Sequence, residues 1–203
     1  MTETNPNARL ETFCDGVFAI AMTLLIIDIK LPPGEIATTS ALWHALQELG
    51  PRIFAFVLSF GVILITWVNH HGGMKLIDKS CASFIYGNGF LLLTVVSIPF
   101  PTSLLGEFLL TDHAAPAVVL YNAVIALQSI GWILSTGAAL RHGLAKDEQS
   151  KAIVRQNNRN GYGAVVLYSL LAVAAIGFPL TVAALTTASW VFWLVLGIRL
   201  RHM

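Results

Sequence analysis

The sequence predicts an all-α membrane protein with six transmembrane helices, and three observations support that prediction. Of its 203 residues, 56% are hydrophobic and only 11% are charged, with a mean hydropathy of +0.72, whereas soluble domains carry about 25% charged residues. The apolar residues gather into runs close to the roughly 17–25 residues that a spanning helix needs. Basic residues lie mainly between alternate runs, as the positive-inside rule describes. The net charge of +1 gives no reason to expect a nucleic-acid partner.

The hydropathy pattern predicts six spans in one domain, residues 1–203. They cover residues 13–29, 53–68, 81–98, 114–140, 161–177 and 180–198. Lys30 and the Pro32-Pro33 pair close the first span, and the Pro-Phe-Pro-Thr stretch at 99–102 ends the third. Between the first two spans, residues 34–50 mix apolar and polar positions in a pattern typical of a short amphipathic helix at the membrane surface.

The later spans follow from long stretches without charge. Residues 114–140 contain none, and neither do residues 160–198. The second stretch is roughly 58 Å long as a helix, about two crossings of a bilayer core, and Gly177-Phe178-Pro179 is the natural turn between them. The polar segment 141–159 is also compatible with a helical extension of the fourth span.

Orientation follows from the basic residues. With both termini cytoplasmic, ten of the twelve Lys and Arg residues lie on the inner side, and only Lys30 and Arg52 lie outside. This asymmetry predicts cytoplasmic N- and C-termini and a multi-pass protein of the cell membrane, in contact with the lipid bilayer.

The first span carries a carboxylate, Asp15, at the mouth of its apolar run. An ionisable group at such a depth is costly and is a functional-site candidate by default. Trp67 and His71 share one face of the second span at the same depth, and a Trp N–H can satisfy a buried carboxylate. We favour a structural network over a proton relay for these residues, and both interpretations stay open.

The same span offers a stripe of Ile20, Leu24 and Ile27, with Thr23 beside it. This is the spacing of one helical face. Periodicity alone favours helix packing or lipid contact over a pore wall. Asp15 lies about 140° around the helix from Ile20, so the carboxylate points away from the stripe, toward the second span.

No motif supports catalysis, so we predict a protein that is not an enzyme and has no cofactor. The His70-His71 pair lacks the three or four spaced ligands that zinc takes, and we predict no metal site. The two cysteines, Cys14 and Cys81, indicate small buried residues rather than a disulfide framework.

Three stretches, taken together, resemble the transmembrane protein 175 family of potassium channels. The family opens its first helix with Arg, three residues, then Phe-Ser-Asp-Gly; here the stretch 9–16 reads Arg-Leu-Glu-Thr-Phe-Cys-Asp-Gly. Its second helix ends in Trp and a His pair, matched by Trp67, His70 and His71. Its third has an Asn before Pro-Phe-Pro-Thr, matched by Asn88 and residues 99–102. Cys14 stands at the family's serine position and replaces a hydroxyl with a weaker S–H donor.

The resemblance implies a potassium-permeable channel whose pore is lined by the first helix of each subunit. It implies a constriction of bulky aliphatic side chains at Ile20, Leu24 and Ile27, with Thr23 as a neighbouring hydroxyl. It also implies a structural network of Arg9, Phe13, Asp15, Trp67, His70, His71 and Asn88. One six-helix unit per chain implies a homotetramer in a prokaryotic plasma membrane, with potassium ions as the permeant species and modest selection over sodium.

Two other functions remain open from the residues themselves. Asp15 and His71 could serve a proton-conducting or proton-coupled transporter, although the discontinuous helices of many transporters are not evident. A membrane scaffold without transport would also account for the stripe.

Overall fold

The computed structural model describes residues 6–31 and 36–199, with the side chains at 192 and 194–199 excepted. Within these ranges the α-helices, in chain order, are α1 (Ala8–Leu24), α2 (Thr39–Glu48), α3 (Gly50–Met74), α4 (Ala82–Ser97), α5 (Pro99–Phe108), α6 (Ala114–Arg141), α7 (Glu148–Ala174) and α8 (Pro179–Arg199). A 3₁₀ turn, Leu25–Asp28, continues α1. The described residues form no strand beyond one isolated bridge. The predicted all-α class is confirmed.

Four of the described helical segments are long and apolar enough to cross a membrane. They are Ala8–Asp28, Gly50–Met74, Ala82–Phe108 and Ala114–Arg141. A shorter apolar stretch, Pro179–Val191, begins α8. The fifth and sixth spans, and hence the count of six, stay predictions. The predicted closing pair Pro32-Pro33 lies outside the described residues.

The prediction that Pro-Phe-Pro-Thr ends the third span is wrong. α5 begins at Pro99, directly after Ile98, whose backbone is also helical, and α4 and α5 together form one 27-residue segment. Proline at a first helical position lacks only an N–H that would have no helical partner there. The Thr102 backbone N–H donates to the Ile98 carbonyl, so the hydrogen bonding resumes across the junction.

The polar segment 141–159 does not extend the fourth span. α6 ends at Arg141, and Gly143 adopts the left-handed conformation with φ of 59°. The Leu144 N–H then donates to the Ala139 carbonyl, as in a Schellman motif. Asp147 caps the next helix by accepting from the Ser150 N–H at 2.7 Å. Residues 148–159 therefore begin α7.

Two other helices are longer than their predicted spans, α1 at its start and α3 at its end. α1 begins at Ala8, five residues before the predicted start at 13. α3 continues past 68 to Met74, so the His70-His71 pair and the two glycines after it are helical. The additional turns are polar or small, and hydropathy alone could not assign them to helices.

Small residues set the distance between α4 and α6 at the centre of the bundle. A Cβ at Gly87 would lie 2.7 Å from the backbone N of Ser135, and one at Gly131 would lie 2.7 Å from the Cα of Leu91. Glycine is required at both places because the opposing atoms belong to the partner backbone. The pattern is the close approach of small residues that membrane helix pairs favour.

We expect Gly131→Ala to destabilise the fold by about 1–3 kcal/mol, because the added methyl forces two backbones apart. Thermal unfolding in detergent measures the loss. Gly89→Ala is the matched control on α4, since its Cβ would meet no heavy atom within 4 Å. Equal melting temperatures for the two variants would contradict a close-packed α4–α6 contact.

The loops at one end of the bundle are joined to each other and to the N-terminus. Ile77 and Ala145 form the isolated bridge, flanked by hydrogen bonds from the Asp78 N–H to the Leu144 carbonyl and from the Lys146 N–H to the Leu76 carbonyl. The Asn7 side chain donates to the Ile77 carbonyl at 3.3 Å. These segments therefore share one side of the bundle, which we call the N-terminal face. Its assignment to the cytoplasm stays a prediction.

The cap at Asp147 makes the start of α7 sensitive to acid. The hydrogen bond from the Ser150 N–H lowers the pKa of the Asp147 carboxyl below its usual 3.8. Because the pKa is lower in the folded state, the cap stabilises the helix fully at pH values above the pKa of the unfolded state. This stabilisation is lost as the pH falls through the pKa of the folded state. We expect the hydrogen-exchange protection of the first turn of α7 to decrease when the pH is lowered past about 4. Asp147→Asn, which keeps a capping oxygen, should show no such fall, and an equal fall in both proteins would contradict the cap.

Candidate functional site

α1 lies at the edge of the bundle and has two unlike faces. One face packs against α3 and α4. Its members recur at helical spacing and are 0–1% exposed: Cys14, Phe18, Ala21 and Leu25. Within the described residues of the chain, the opposite face of α1 is uncovered.

The uncovered face carries the predicted stripe. Ile20 is 58% exposed, Leu24 is 40% exposed and Ile27 is 56% exposed. One detail of the prediction is wrong: Ile27 lies in the 3₁₀ turn rather than on a continuous α-helix. A 3₁₀ turn advances about 120° per residue rather than 100°, so Ile27 is rotated from its ideal position but stays on the exposed side.

Thr23 lies beside the stripe and is exposed. Its hydroxyl donates to the Ile20 carbonyl at 2.8 Å. The donor is therefore used within the helix, and the hydroxyl oxygen keeps lone pairs that can accept a hydrogen bond or coordinate a cation.

Asp15 pairs with the second long span, as the sequence predicted. The Trp67 Nε1–H donates to Asp15 Oδ1 at 2.8 Å. His71 stacks on the Trp67 ring, with centroids 5.8 Å apart and planes at 23°. Trp67 and His71 are four residues apart on α3, so one helical turn presents both rings together. The carboxylate is turned away from the stripe.

His70 and Asn88 form a second, deeper pair. Both residues were predicted to belong to the network, but the bond between them was not predicted. His70 Nε2 and Asn88 Oδ1 are 2.9 Å apart, and both side chains are buried. Asn88 Nδ2 donates to the Phe84 carbonyl, so Oδ1 accepts and His70 Nε2 is the donor. The His70 ring also contacts Phe18 of α1 and Trp132 of α6. His70 of α3 therefore contacts three other helices, α1, α4 and α6.

Two residues of the predicted network, Arg9 and Phe13, do not join the buried contacts of the other members within one chain. Phe13 is 62% exposed, and Arg9 is also exposed. The one ion pair among the described residues, between Lys151 and Glu148, lies elsewhere. Arg9 and Phe13 are therefore not among the buried residues that pack α1 against the rest of the chain.

Sequence reasoning missed two buried polar clusters. Thr102 donates to Ser59, which is 3.1 Å from the Tyr121 hydroxyl, and these join α3, α5 and α6. Gln128 of α6 donates to Thr66 of α3 at 2.8 Å. Their signal in the sequence is a single polar side chain inside an apolar run, which does not identify its partner.

The described residues contain no group of three His, Cys, Asp or Glu side chains that could hold a metal ion. Cys14 and Cys81 are free thiols. The polar groups of the site thus join helices to one another, and from Gly16 onward the exposed face of α1 is aliphatic apart from the Thr23 hydroxyl.

Comparisons with known proteins identify the family. Residues 9–99 match the family model described as endosomal/lysosomal potassium channel TMEM175. A potassium channel of Streptomyces collinus is 36% identical over 184 residues, which cover 88% of this chain and 82% of the relative. A potassium channel of Chamaesiphon minutus is 43% identical over 122 residues, so the match spans only 60% of each chain. A chicken relative named endosomal/lysosomal proton channel TMEM175 is 31% identical over 131 residues, 62% of this chain and 26% of its own.

A solved structure extends the likeness to the whole fold. The crystal structure of a lysosomal potassium-selective channel TMEM175 homolog from Chamaesiphon minutus superposes with a TM-score of 0.83 at 31% identity. The superposition covers 96% of this chain and 99% of that one. The chain belongs to the TMEM175 family of ion channels.

Proposed function

We propose that this protein is a potassium-permeable cation channel whose pore is lined by α1 from each copy of a homotetramer. The observation that carries the proposal is the two-faced α1, aliphatic and uncovered on one side and packed on the other. The relatives named potassium channel point to the same function. The proposed protein crosses a prokaryotic plasma membrane six times, with both termini in the cytoplasm.

Assembly of copies accounts for the position of α1 at the edge of the bundle. A closed ring places the same surface of every subunit around the symmetry axis. With α1 nearest the axis, each of Ile20, Leu24 and Ile27 becomes a ring of aliphatic side chains. The exposed Phe13 and Arg9 then become available for contacts between subunits, consistent with their exposure within one chain.

The proposed constriction gates by excluding water. A narrow ring of Ile20 side chains offers no hydrogen bonds, and such hydrophobic constrictions can dewet. An ion passing it keeps part of its hydration shell, because the chain lacks the Thr-Val-Gly-Tyr-Gly carbonyl filter. Selection of potassium over sodium is therefore modest, and the Thr23 oxygens assist coordination.

A proton-conducting or proton-coupled transporter is the second candidate. Its supporting observation is the half-buried Asp15 carboxylate bonded to Trp67, next to the titratable His71 ring. The name of the chicken relative gives it further support. Proton transfer along this route needs a connected chain of donors and acceptors, and Trp67 can only donate.

Recording from purified protein in planar bilayers tests these functions. Under potassium–sodium bi-ionic conditions, the channel predicts unitary currents and a reversal potential displaced modestly toward potassium, without any proton gradient. Currents that follow only the proton gradient favour the second candidate. Liposomes that leak neither ion would contradict both and favour the scaffold.

A further inference from the structure

A large cavity lies away from α1, between α3, α6, α7 and α8. Its volume is about 580 Å³, within the usual range for small-molecule sites. It runs along α3 from Thr66 to Lys75, nine residues or about 13 Å of helix. Lys75 is exposed and follows the end of α3, so the mouth lies at the N-terminal face. The floor lies near Thr66, deep in the bundle.

Two buried polar atoms in the cavity wall lack hydrogen-bond partners in the part of the chain that the structure describes. Gln128 is 3% exposed and Trp190 is 8% exposed, and both line the cavity. Among the described residues, neither Gln128 Oε1 nor Trp190 Nε1 has a hydrogen-bond partner. Gln128 uses its amide nitrogen for Thr66, and Trp190 stacks on Tyr168 with centroids 6.0 Å apart. Both side chains are thus held in place while one acceptor and one donor stay unused.

Buried polar atoms are normally paired, and leaving one unpaired costs free energy. One acceptor and one donor in the same cavity call for a group that both donates and accepts, such as a hydroxyl or an amide. Trp132, Tyr168 and Trp190 supply aromatic walls, which suit a flat apolar body. Of the described residues that line the cavity, only Lys75 at its outer end is charged and none is Asp or Glu, so nothing there selects a cation by charge.

We propose that this cavity binds a neutral, flat aromatic molecule that enters from the N-terminal face and carries a hydroxyl or amide at its leading end. The polar end donates to Gln128 Oε1 and accepts from Trp190 Nε1, and the aromatic body lies against Trp132 and Tyr168. The site is separate from the α1 stripe and does not depend on which ion permeates.

The polarity of the cavity argues against a membrane lipid as its ligand. A lipid keeps its headgroup at the membrane surface and its acyl chain in the interior. In this cavity its chain would face the two unpaired polar atoms and leave them unsatisfied. A small molecule with a polar leading end satisfies both.

Fluorine NMR with a matched pair of probes tests the proposal. The probes are 4′-fluoro-4-hydroxybiphenyl and 4-fluorobiphenyl, which differ by one hydroxyl. Full-length protein is placed in phospholipid nanodiscs, and partitioning into empty nanodiscs is subtracted. We expect saturable binding of the hydroxyl probe at one per chain. Its affinity should be about tenfold higher than that of 4-fluorobiphenyl, because each of its two hydrogen bonds contributes a net factor of about three after the hydroxyl has lost its own hydration.

Two variants and one control identify the site. Gln128→Met keeps the side-chain volume and removes the acceptor, and Trp190→Phe keeps an aromatic ring and removes the donor. Each should reduce the tenfold preference to about threefold, because one of the two hydrogen bonds is lost, while 4-fluorobiphenyl binds as before. Trp43→Phe, on the exposed side of α2, should keep the full preference. A merely structural role for Gln128 or Trp190 predicts equal losses for both probes.

Three outcomes would overturn the proposal. The first is the absence of saturable binding up to the solubility limit of the hydroxyl probe. The second is equal affinity for the two probes in the unmodified protein. The third is a phospholipid, recovered by solvent extraction of the purified protein, whose removal is required before either probe binds.

Discussion

Replacing Ile20 with Asn should raise single-channel conductance about tenfold and bring the potassium-to-sodium permeability ratio close to one. The change puts a hydrogen-bonding side chain at the position that we propose is the narrowest ring. Water then enters the constriction, and the barrier to the ion falls. Lowering it by about 1.4 kcal/mol corresponds to a tenfold faster passage. Single-channel recording of the reconstituted variant under bi-ionic conditions measures both effects.

The matched control for Ile20→Asn is Val166→Asn. Val166 is also exposed and aliphatic but lies on α7, which makes no substantial contact with α1. This variant introduces the same polar group into an exposed surface away from the proposed pore, so its conductance and permeability ratio should match the unmodified protein. Unchanged conductance in Ile20→Asn, or an equal increase in both variants, would contradict Ile20 as part of the ion path.

Replacing Trp67 with Phe should destabilise the protein by about 1–3 kcal/mol, because it removes the N–H that Asp15 accepts and leaves a half-buried carboxylate without that donor. The ring of Phe preserves most of the packing between α3 and His71. Thermal and denaturant unfolding in detergent measure the loss. The exposed Trp43 provides a control, since Trp43→Phe should stay within about 0.5 kcal/mol of the unmodified protein.

A double-mutant cycle separates this bond from other consequences of the substitutions. Asp15→Leu removes the carboxylate, after which Trp67→Phe should cost much less than it does alone. The expected coupling between the two residues is at least about 1 kcal/mol. Full additivity would mean that the 2.8 Å contact contributes nothing measurable to holding α1 against α3.

The two results together distinguish the two faces of α1. A carboxylate in the ion path would make Asp15→Leu change permeability as strongly as Ile20→Asn. If Asp15 holds the helix through Trp67, its loss lowers stability first, and channels that still assemble keep the permeability ratio of the unmodified protein.

The chain's hydropathy was sufficient to predict where most helices lie, because the free energy of transferring a segment into a membrane depends on the residues of that segment alone. Helix ends were less predictable. Pro99 looks like a terminator, yet it begins α5, since proline is tolerated where no helical N–H bond is needed. The predicted end of the fourth span at 140 agrees with the end of α6 at Arg141. Gly143 and Asp147 are the end signals that exclude the helical extension through 141–159, which the charge of that segment did not reveal.

The spacing on α1 was also sufficient to separate Asp15 from Ile20, because 140° around a helix is a property of local geometry. The partner of Asp15 could be anticipated from the depth of Trp67 on an antiparallel neighbour. The rotation of Ile27 could not be anticipated, since nothing in the sequence of Leu25–Asp28 marks the change from α-helix to 3₁₀ helix.

The membrane class, most helices, the family motifs and the two faces of α1 could all be predicted from the sequence, because each depends on composition or on spacing within one element. Three features became visible only in the folded chain. His70 bonds to Asn88, Gly87 and Gly131 let two backbones meet, and Gln128 and Trp190 line a common cavity. These features join residues distant in the chain. Their energies depend on which atoms oppose each other across helices, and a one-dimensional pattern of polarity does not contain that information.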